Sequence, residues 1–257
     1  MQSMIEDHVT KLYALWLREF KVFLREKSRL VASTFTPILW LFVIGSGLGA
    51  ANPSTIPGVD YQLFIFPGIV AMSIIFSSVF FGSYIIWDRK FDFLKSVMVA
   101  PVSRATVFVG KTLGGMTTSL IQASILLAVG AAIGVPFTPI SLLQSVAVIL
   151  LMSFGLTSLG LALGSYMYSL EGFQMIVSFV VFPLFFLSGA LFPLDGLPGW
   201  LGILTAADPA TYGVDALRQS MLRAGSNSFE LDIGILVLYT AALGLFGIFS
   251  FRRMKAV

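Results

Sequence analysis

The sequence predicts an all-α polytopic membrane protein: six transmembrane helices, an N-terminal interfacial amphipathic helix, and a re-entrant segment before the last span. Three observations lead there. Mean hydropathy is +0.92 and 57% of the 257 residues are hydrophobic, outside the range of a soluble domain of this length. Six apolar runs reach about 20 residues or more, enough to cross a bilayer core of about 30 Å. Fourteen of the sixteen lysines and arginines lie in or beside alternate connections or at the termini. By the positive-inside rule those connections and both termini are cytoplasmic.

The elements follow in order. Residues 1–29 hold no apolar core and no small-residue cleavage site, so they do not read as a signal peptide. Ile5, Val9, Leu12, Tyr13, Trp16, Leu17, Phe20, Phe23 and Leu24 recur at helical spacing, with Lys11, Arg18, Lys21 and Arg25 on the other face. This pattern predicts a helix lying in the headgroup plane, the alternative being a helix packed on another domain. Residues 30–257 are expected to form one six-span domain, with spans at 30–51, 62–86, 105–133, 140–167, 173–192 and 231–251.

Between spans two and three, residues 87–104 form a charged island, with four basic and two acidic residues in a chain that is only 11% charged. Phe91, Leu94, Val97 and Met98 recur at helical spacing, which predicts a short amphipathic helix. Pro101 ends it, because proline disfavours helical geometry in the residue before it. Two readings stay open here: a docking surface for a soluble partner, or a solvated loop that only orients the chain.

Residues 193–225 form the outer segment. From Phe192 and Pro193 through Pro198 to Trp200 the chain is too broken by proline and glycine to continue a span, yet too apolar for an ordinary loop. A re-entrant dip is expected, packed on other spans or lining a cavity, because irregular backbone at membrane depth needs such partners. Asp208-Pro209 then reads as an N-cap followed by proline at the first helical position. Ala210, Val214, Leu217 and Met221 make one apolar stripe, Asp215 and Arg218 are spaced to pair, and Gly225 is a stop. This predicts an amphipathic helix on the outer surface.

Little chemistry is present. There is no cysteine, so no disulfide or thiolate site, and the single histidine, His8, lies outside the spans. The formal charge of +3 is accounted for by topology and does not suggest nucleic acid. No carboxylate falls well inside a predicted span; Glu171 sits in the turn between spans four and five, and Lys111 near the inner end of span three. Intramembrane carboxylates are what proton relays are built from, so a proton-coupled transporter is disfavoured. Gly110-Lys111-Thr112 resembles the end of a phosphate-binding loop, but the earlier glycine position is Ala105 and no soluble strand precedes it. The pairs Gly110/Gly114, Gly130/Gly134 and Gly160/Gly164 permit close helix contact, and at most one is expected to join subunits. With no ATP site and no ion relay the chain either conducts passively or borrows energy at its cytoplasmic face.

Several segments resemble the membrane subunit (permease) of type-2 ABC exporters, the branch with daunorubicin, nodulation-factor and polysaccharide exporters. They are Phe64-Ile65-Phe66-Pro67-Gly68-Ile69, then Asp88-Arg89 with Phe93-Leu94 before Ala100-Pro101-Val102-Ser103-Arg104. Further on come Phe186-Leu187-Ser188-Gly189-Ala190-Leu191-Phe192-Pro193 and Asp208-Pro209-Ala210-Thr211-Tyr212-Gly213-Val214-Asp215-Ala216-Leu217-Arg218. The resemblance implies two six-span subunits on two cytoplasmic ABC ATPase subunits, with ATP and Mg held by those partners and no cofactor in this chain. It implies that residues 87–104 form the coupling helix, through Asp88, Arg89, Phe93, Leu94 and Pro101. Asp88 stands where the resemblance implies glutamate, a departure that keeps the charge. The outer end of the pathway would be residues 192–204, with Phe192, Pro193, Pro198 and Trp200. The expected function is therefore a non-enzymatic permease subunit in the plasma membrane (the bacterial or archaeal inner membrane), most simply a homodimer. It would export an amphipathic drug, lipid or lipid-linked glycan. The alternatives are a secondary transporter, or a passive channel or scaffold with no ATPase partner.

Overall fold

The computed structural model describes residues 2–51, 60–93, 102–194 and 196–254, and all regular structure among them is helical. The order is α1 (Gln2–Arg25), α2 (Lys27–Ala51), α3 (Tyr61–Phe80), α4 (Ser83–Lys90), α5 (Arg104–Ala132), α6 (Pro139–Tyr166), α7 (Leu170–Leu187), α8 (Gly199–Ala207), α9 (Pro209–Leu222) and α10 (Phe229–Arg253). Six stretches are long and apolar enough to cross a membrane: α2, α3 with α4, α5, α6, α7 and α10.

Local chemistry sets the boundaries. Ser103, Ser169 and Ser228 cap α5, α7 and α10 by accepting backbone N–H bonds from Thr106, Gly172 and Leu231. Thr138 and Ser141 form a reciprocal capping box at α6, with Pro139 at its first position. At α9 the Asp208 side chain accepts from the Ala210 N–H at 2.8 Å, the cap that the Asp208-Pro209 pair predicts.

α3 is the centre of the bundle. Every residue from Phe64 to Ile75 is buried, so the helix is enclosed on all sides, by α2, α5, α6, α7 and α9. Close approach there depends on glycine. A Cβ on Gly82 would collide with the Gly160 carbonyl, one on Gly160 with the Val79 carbonyl, and one on Gly164 with the Gly82 carbonyl. Gly110 and Gly114 likewise admit Leu15 and Glu19 of α1, and Gly130 admits the Phe66 ring. Gly110, Gly114, Gly130, Gly160 and Gly164 thus serve contacts inside the subunit, while Gly134 has no atom within 4 Å of an added Cβ.

Two span boundaries are corrected. The second span runs on to Lys90, with an irregular step at Phe81–Gly82, so Asp88 and Arg89 belong to the C-terminal end of the span and not to a separate loop helix. Phe91 and Asp92 then form a turn, with Asp92 at φ 54°, and residues 94–101, which carry the rest of the expected amphipathic helix, lie outside the described residues. The fifth span ends at Leu187 rather than 192, where Gly189 takes φ 70°.

The largest departure is α9, which is not a surface helix. Ten of its fourteen residues are buried, on polar as well as apolar faces, and it packs on α3, α6, α7 and α10. The apolar stripe is real, but the polar face also has work inside the bundle. Asp215 and Arg218 do not pair with each other: Asp215 accepts from the Ser226 and Asn227 backbone N–H groups at 2.9 Å each, and Arg218 donates to the Gly189 carbonyl at 2.8 Å. Tyr61 and Thr211 donate to the carbonyls of Leu191 and Leu187. These bonds satisfy the irregular backbone after α7, as backbone shielded from water requires.

Candidate functional site

The site is assembled where α1, α4 and α5 meet. α1 is amphipathic, but its apolar side is not given to lipid alone: Leu15 and Glu19 seat on Gly110 and Gly114 of α5, and Phe23 is buried, while Val9, Tyr13 and Leu24 stay exposed. The Trp16 indole N–H donates to the Thr117 hydroxyl at 2.9 Å. This packing carries Arg18 and Glu19 to the end of the bundle where α4 meets α5.

There they meet Lys111 of α5 and Asp88 of α4. Lys111 is fully buried, and Glu19 and Asp88 are 3% and 5% exposed. Lys111 Nζ lies 2.9 Å from Glu19 Oε1 and also pairs with Asp88 Oδ2. Arg18 closes the ring, with one guanidinium nitrogen 2.6 Å from Glu19 Oε1 and another 2.6 Å from Asp88 Oδ1. Two cations face two anions, so the cluster is neutral although buried. For Arg18, burial acts to lower the pKa, but Asp88 and Glu19 outweigh it and raise the value, which keeps the guanidinium charged. Its plane also sits 3.5 Å over the Phe93 ring.

Asp88 and Arg89, expected to meet a partner, are thus committed inward. Arg89 donates to the Met167 and Ser165 carbonyls at 2.6 and 3.0 Å and lies over the Tyr168 ring, which ties α4 to the α6–α7 turn. What the loop's root does present outward is Trp87 and Phe91, 39% and 74% exposed, their rings stacked 5.7 Å apart. Arg104 fastens the far end of the loop, donating to the Arg252 and Met254 carbonyls at 2.7 and 2.9 Å. Leu94 and Pro101 lie outside the described residues.

The residues expected at the outer end form a separate region. Phe192 and Trp200 are exposed, Pro193 is half-buried, and Pro198 precedes α8. Asp208, Asp215 and Arg218 act on backbone, as above. Burial pushes the Asp208 carboxyl up to about 7, against the opposing bond from Ala210, and lowers the Arg218 guanidinium, with Asp215 opposing.

Residue-level reading missed Arg18, Glu19 and Lys111 as one unit. The signal was present in Glu19, a carboxylate set between Trp16 and Phe23 in the apolar stripe of α1. A lysine inside an apolar span asks for such a partner.

No group of three or more metal-ligating side chains is assembled among the described residues. Six candidate spans around a buried central helix, with a charge cluster where α1, α4 and α5 meet, fit a membrane transport subunit. The chain belongs to the ABC-2 type transporter family, which it matches over residues 10–222, and is a permease subunit of that class. It is 27% identical over 259 residues to the putative transport permease ycf38 of Cyanophora paradoxa, covering 96% of this chain and 89% of that one. Against nodulation protein J of Rhizobium leguminosarum bv. viciae the identity is 25% over 229 residues, 88% of each chain. Against the inner membrane transport permease YadH of Escherichia coli strain K12 it is 28% over 242 residues, 91% of each.

Proposed function

We propose that this permease is the membrane half of an ATP-driven exporter, moved by a cytoplasmic ABC ATPase that holds the ATP and Mg. The observation that supports this most directly is the Lys111 cluster. It joins the root of the inner loop to α1 and α5, so a push on that loop reaches two other elements at once. On this reading Asp88 and Arg89 are anchors of the coupling segment, and Phe93, held beneath Arg18, continues it. Trp87 and Phe91 provide apolar contact surface, with Leu94 and Pro101 assigned to the same segment by resemblance. ATP shifts such a device only by its differential affinity for two states of the complex.

The remaining assignments follow from that one. Both termini and the inner loop are cytoplasmic, α1 lies at the inner interface, and the membrane is a plasma or bacterial inner membrane. A second copy packs against the exposed faces of α2 and α7, where Phe35, Phe42, Phe179 and Phe182 leave an apolar surface uncovered. Phe192, Pro193, Pro198 and Trp200 form the outer end of the path. The cargo is an amphipathic drug, lipid or lipid-linked glycan, because the spans offer hydroxyls and aromatic rings but few charges.

Co-purification tests the reading. The ATPase expressed with this chain is expected to be retained by the wild type and lost with Phe91→Asp, whose side chain already faces solvent, and with Phe93→Asp. Retention of the ATPase by both variants, or uphill transport by the purified chain alone, rejects the proposal.

A further inference from the structure

We propose that a cavity beside α9 binds an acidic sugar, a hydroxyl-bearing ring with one carboxylate, and that Arg218 holds the carboxylate. The site concerns binding and does not rest on the exporter reading, so the titration below and the co-purification above fail independently. The cavity is about 210 Å³ and lies between the irregular segment after α7, α8, α9 and the connection to α10. Ser188, Thr205, Thr211, Tyr212 and Arg218 line it, with Ala206, Ser226 and Asn227 at an exposed edge that forms its mouth. That volume is below the range of about 300–1,000 Å³ typical of drug-sized ligands, and suits a single ring.

Arg218 is 7% exposed, and its guanidinium is only partly used. Nη2 donates to the Gly189 carbonyl at 2.8 Å, and Nε is buried with no partner. Nη1 makes no hydrogen bond among the described residues but, unlike Nε, keeps accessible surface, and the side chain lines the cavity. Asp215 makes no ion pair with it and is itself satisfied by the Ser226 and Asn227 backbone N–H groups and the Gln219 amide. The Phe64 ring lies 4.5 Å from the guanidinium carbon and holds its plane. Burial acts against the charge, with Asp215 the opposing influence. A buried cation with unfilled donors calls for an anion.

The rest of the wall decides what carries that anion. Of the lining residues only Leu194 and Ala206 are apolar, so an acyl chain has nothing to lie against. Ser188 donates to the Phe185 carbonyl, Thr205 to Gly202, Thr211 to Thr205 and Tyr212 to Ala206, at 2.7 to 2.9 Å. With its one proton committed, each hydroxyl can act inside the cavity only as an acceptor. The complementary ligand therefore brings several O–H donors along with its charge, which a fatty acid or a plain phosphodiester does not. Asp215 on the same wall favours a singly charged carboxylate over a doubly charged phosphate monoester.

The probes are glucuronate, glucose, acetate and inorganic phosphate, titrated into the purified full-length chain and read by isothermal titration calorimetry. Glucose has the hydroxyls without the anion, acetate has the carboxylate without the hydroxyls, and phosphate is an oxyanion of higher charge. The wild type is expected to bind glucuronate about tenfold tighter than any of the other three, the effect of one charge-assisted hydrogen bond. Arg218→Gln, which keeps an N–H donor, should reduce the preference for glucuronate over glucose to about twofold or less. Ala206→Trp leaves Arg218 in place and fills the cavity from its mouth, so it should weaken glucuronate binding about tenfold and decides the matter if Arg218→Gln does not fold. Glucuronate binding no tighter than that of glucose, acetate or phosphate overturns the proposal. So does a preference retained by folded Arg218→Gln, or an unchanged affinity in Ala206→Trp.

Discussion

Lys111 and Glu19 are 92 positions apart in the chain and 2.9 Å apart in space, with less than 5% of either residue exposed. The pair sits on Gly114, where any Cβ would strike the Glu19 side chain. The charges and the glycine therefore belong to one device, in which a small residue lets α1 approach closely enough for its carboxylate to reach a buried ammonium.

From this follows the first prediction. Lys111→Met leaves Glu19 and Asp88 facing Arg18 alone, a net buried negative charge, which typically costs about 3–5 kcal/mol. Thermal unfolding in detergent should show a large fall in midpoint. Combining it with Glu19→Gln restores neutrality and should recover more than half of the loss. If the double variant is as unstable as the sum of the two single ones, the residues do not act as a unit.

The contact of α3 with α6 gives the second. Gly160→Val places side-chain atoms where the Val79 carbonyl lies, and two backbones cannot yield as a flexible side chain can. A cost above about 3 kcal/mol is expected, seen as loss of a monodisperse peak in size-exclusion chromatography. Gly202→Ala in α8 has no atom within 4 Å of the new Cβ. It should be neutral or stabilising by up to about 1 kcal/mol.

Asp208 provides a pH test. Burial raises its folded value to about 7, whereas the unfolded chain titrates near an ordinary aspartate, about 4. The folded protein therefore holds more protons than the unfolded one between those values, and stability must fall as pH rises through that window. The contribution is complete below about pH 4 and gone above about pH 7. Asp208→Asn keeps the cap and removes the titration, so the variant should match the wild type near pH 4 and exceed it at pH 8 by a few kcal/mol at most. A wild-type-minus-variant stability difference that stays flat from pH 4 to 8 contradicts the assigned environment.

How far the sequence discloses this molecule depends on the range of the signal. The six spans and the Asp208 cap are legible because hydropathy and capping act within one helix. The place of α9 is not, because Ala210, Val214, Leu217 and Met221 would look the same on a surface helix. Its burial is decided by the carbonyls of Leu187 and Gly189, some 24 to 29 residues earlier, which need Thr211 and Arg218 as donors. The direction of Asp88 is not legible either, since span two continues four residues past its apolar run, to Lys90, and turns that carboxylate toward Lys111.

Topology carries the last prediction, and the natural absence of cysteine makes it clean. Phe91 and Ser226 are both exposed, at the inner-loop turn and in the connection between α9 and α10, on opposite ends of the bundle if the basic ends face the cytoplasm. A membrane-impermeant maleimide applied to intact cells should label Ser226→Cys and not Phe91→Cys, and inverted vesicles should reverse the pattern. The reversed pattern in intact cells would put Trp87 and Phe91 on the side where no ATPase can reach them. Coupling through that loop would then be impossible whatever its geometry.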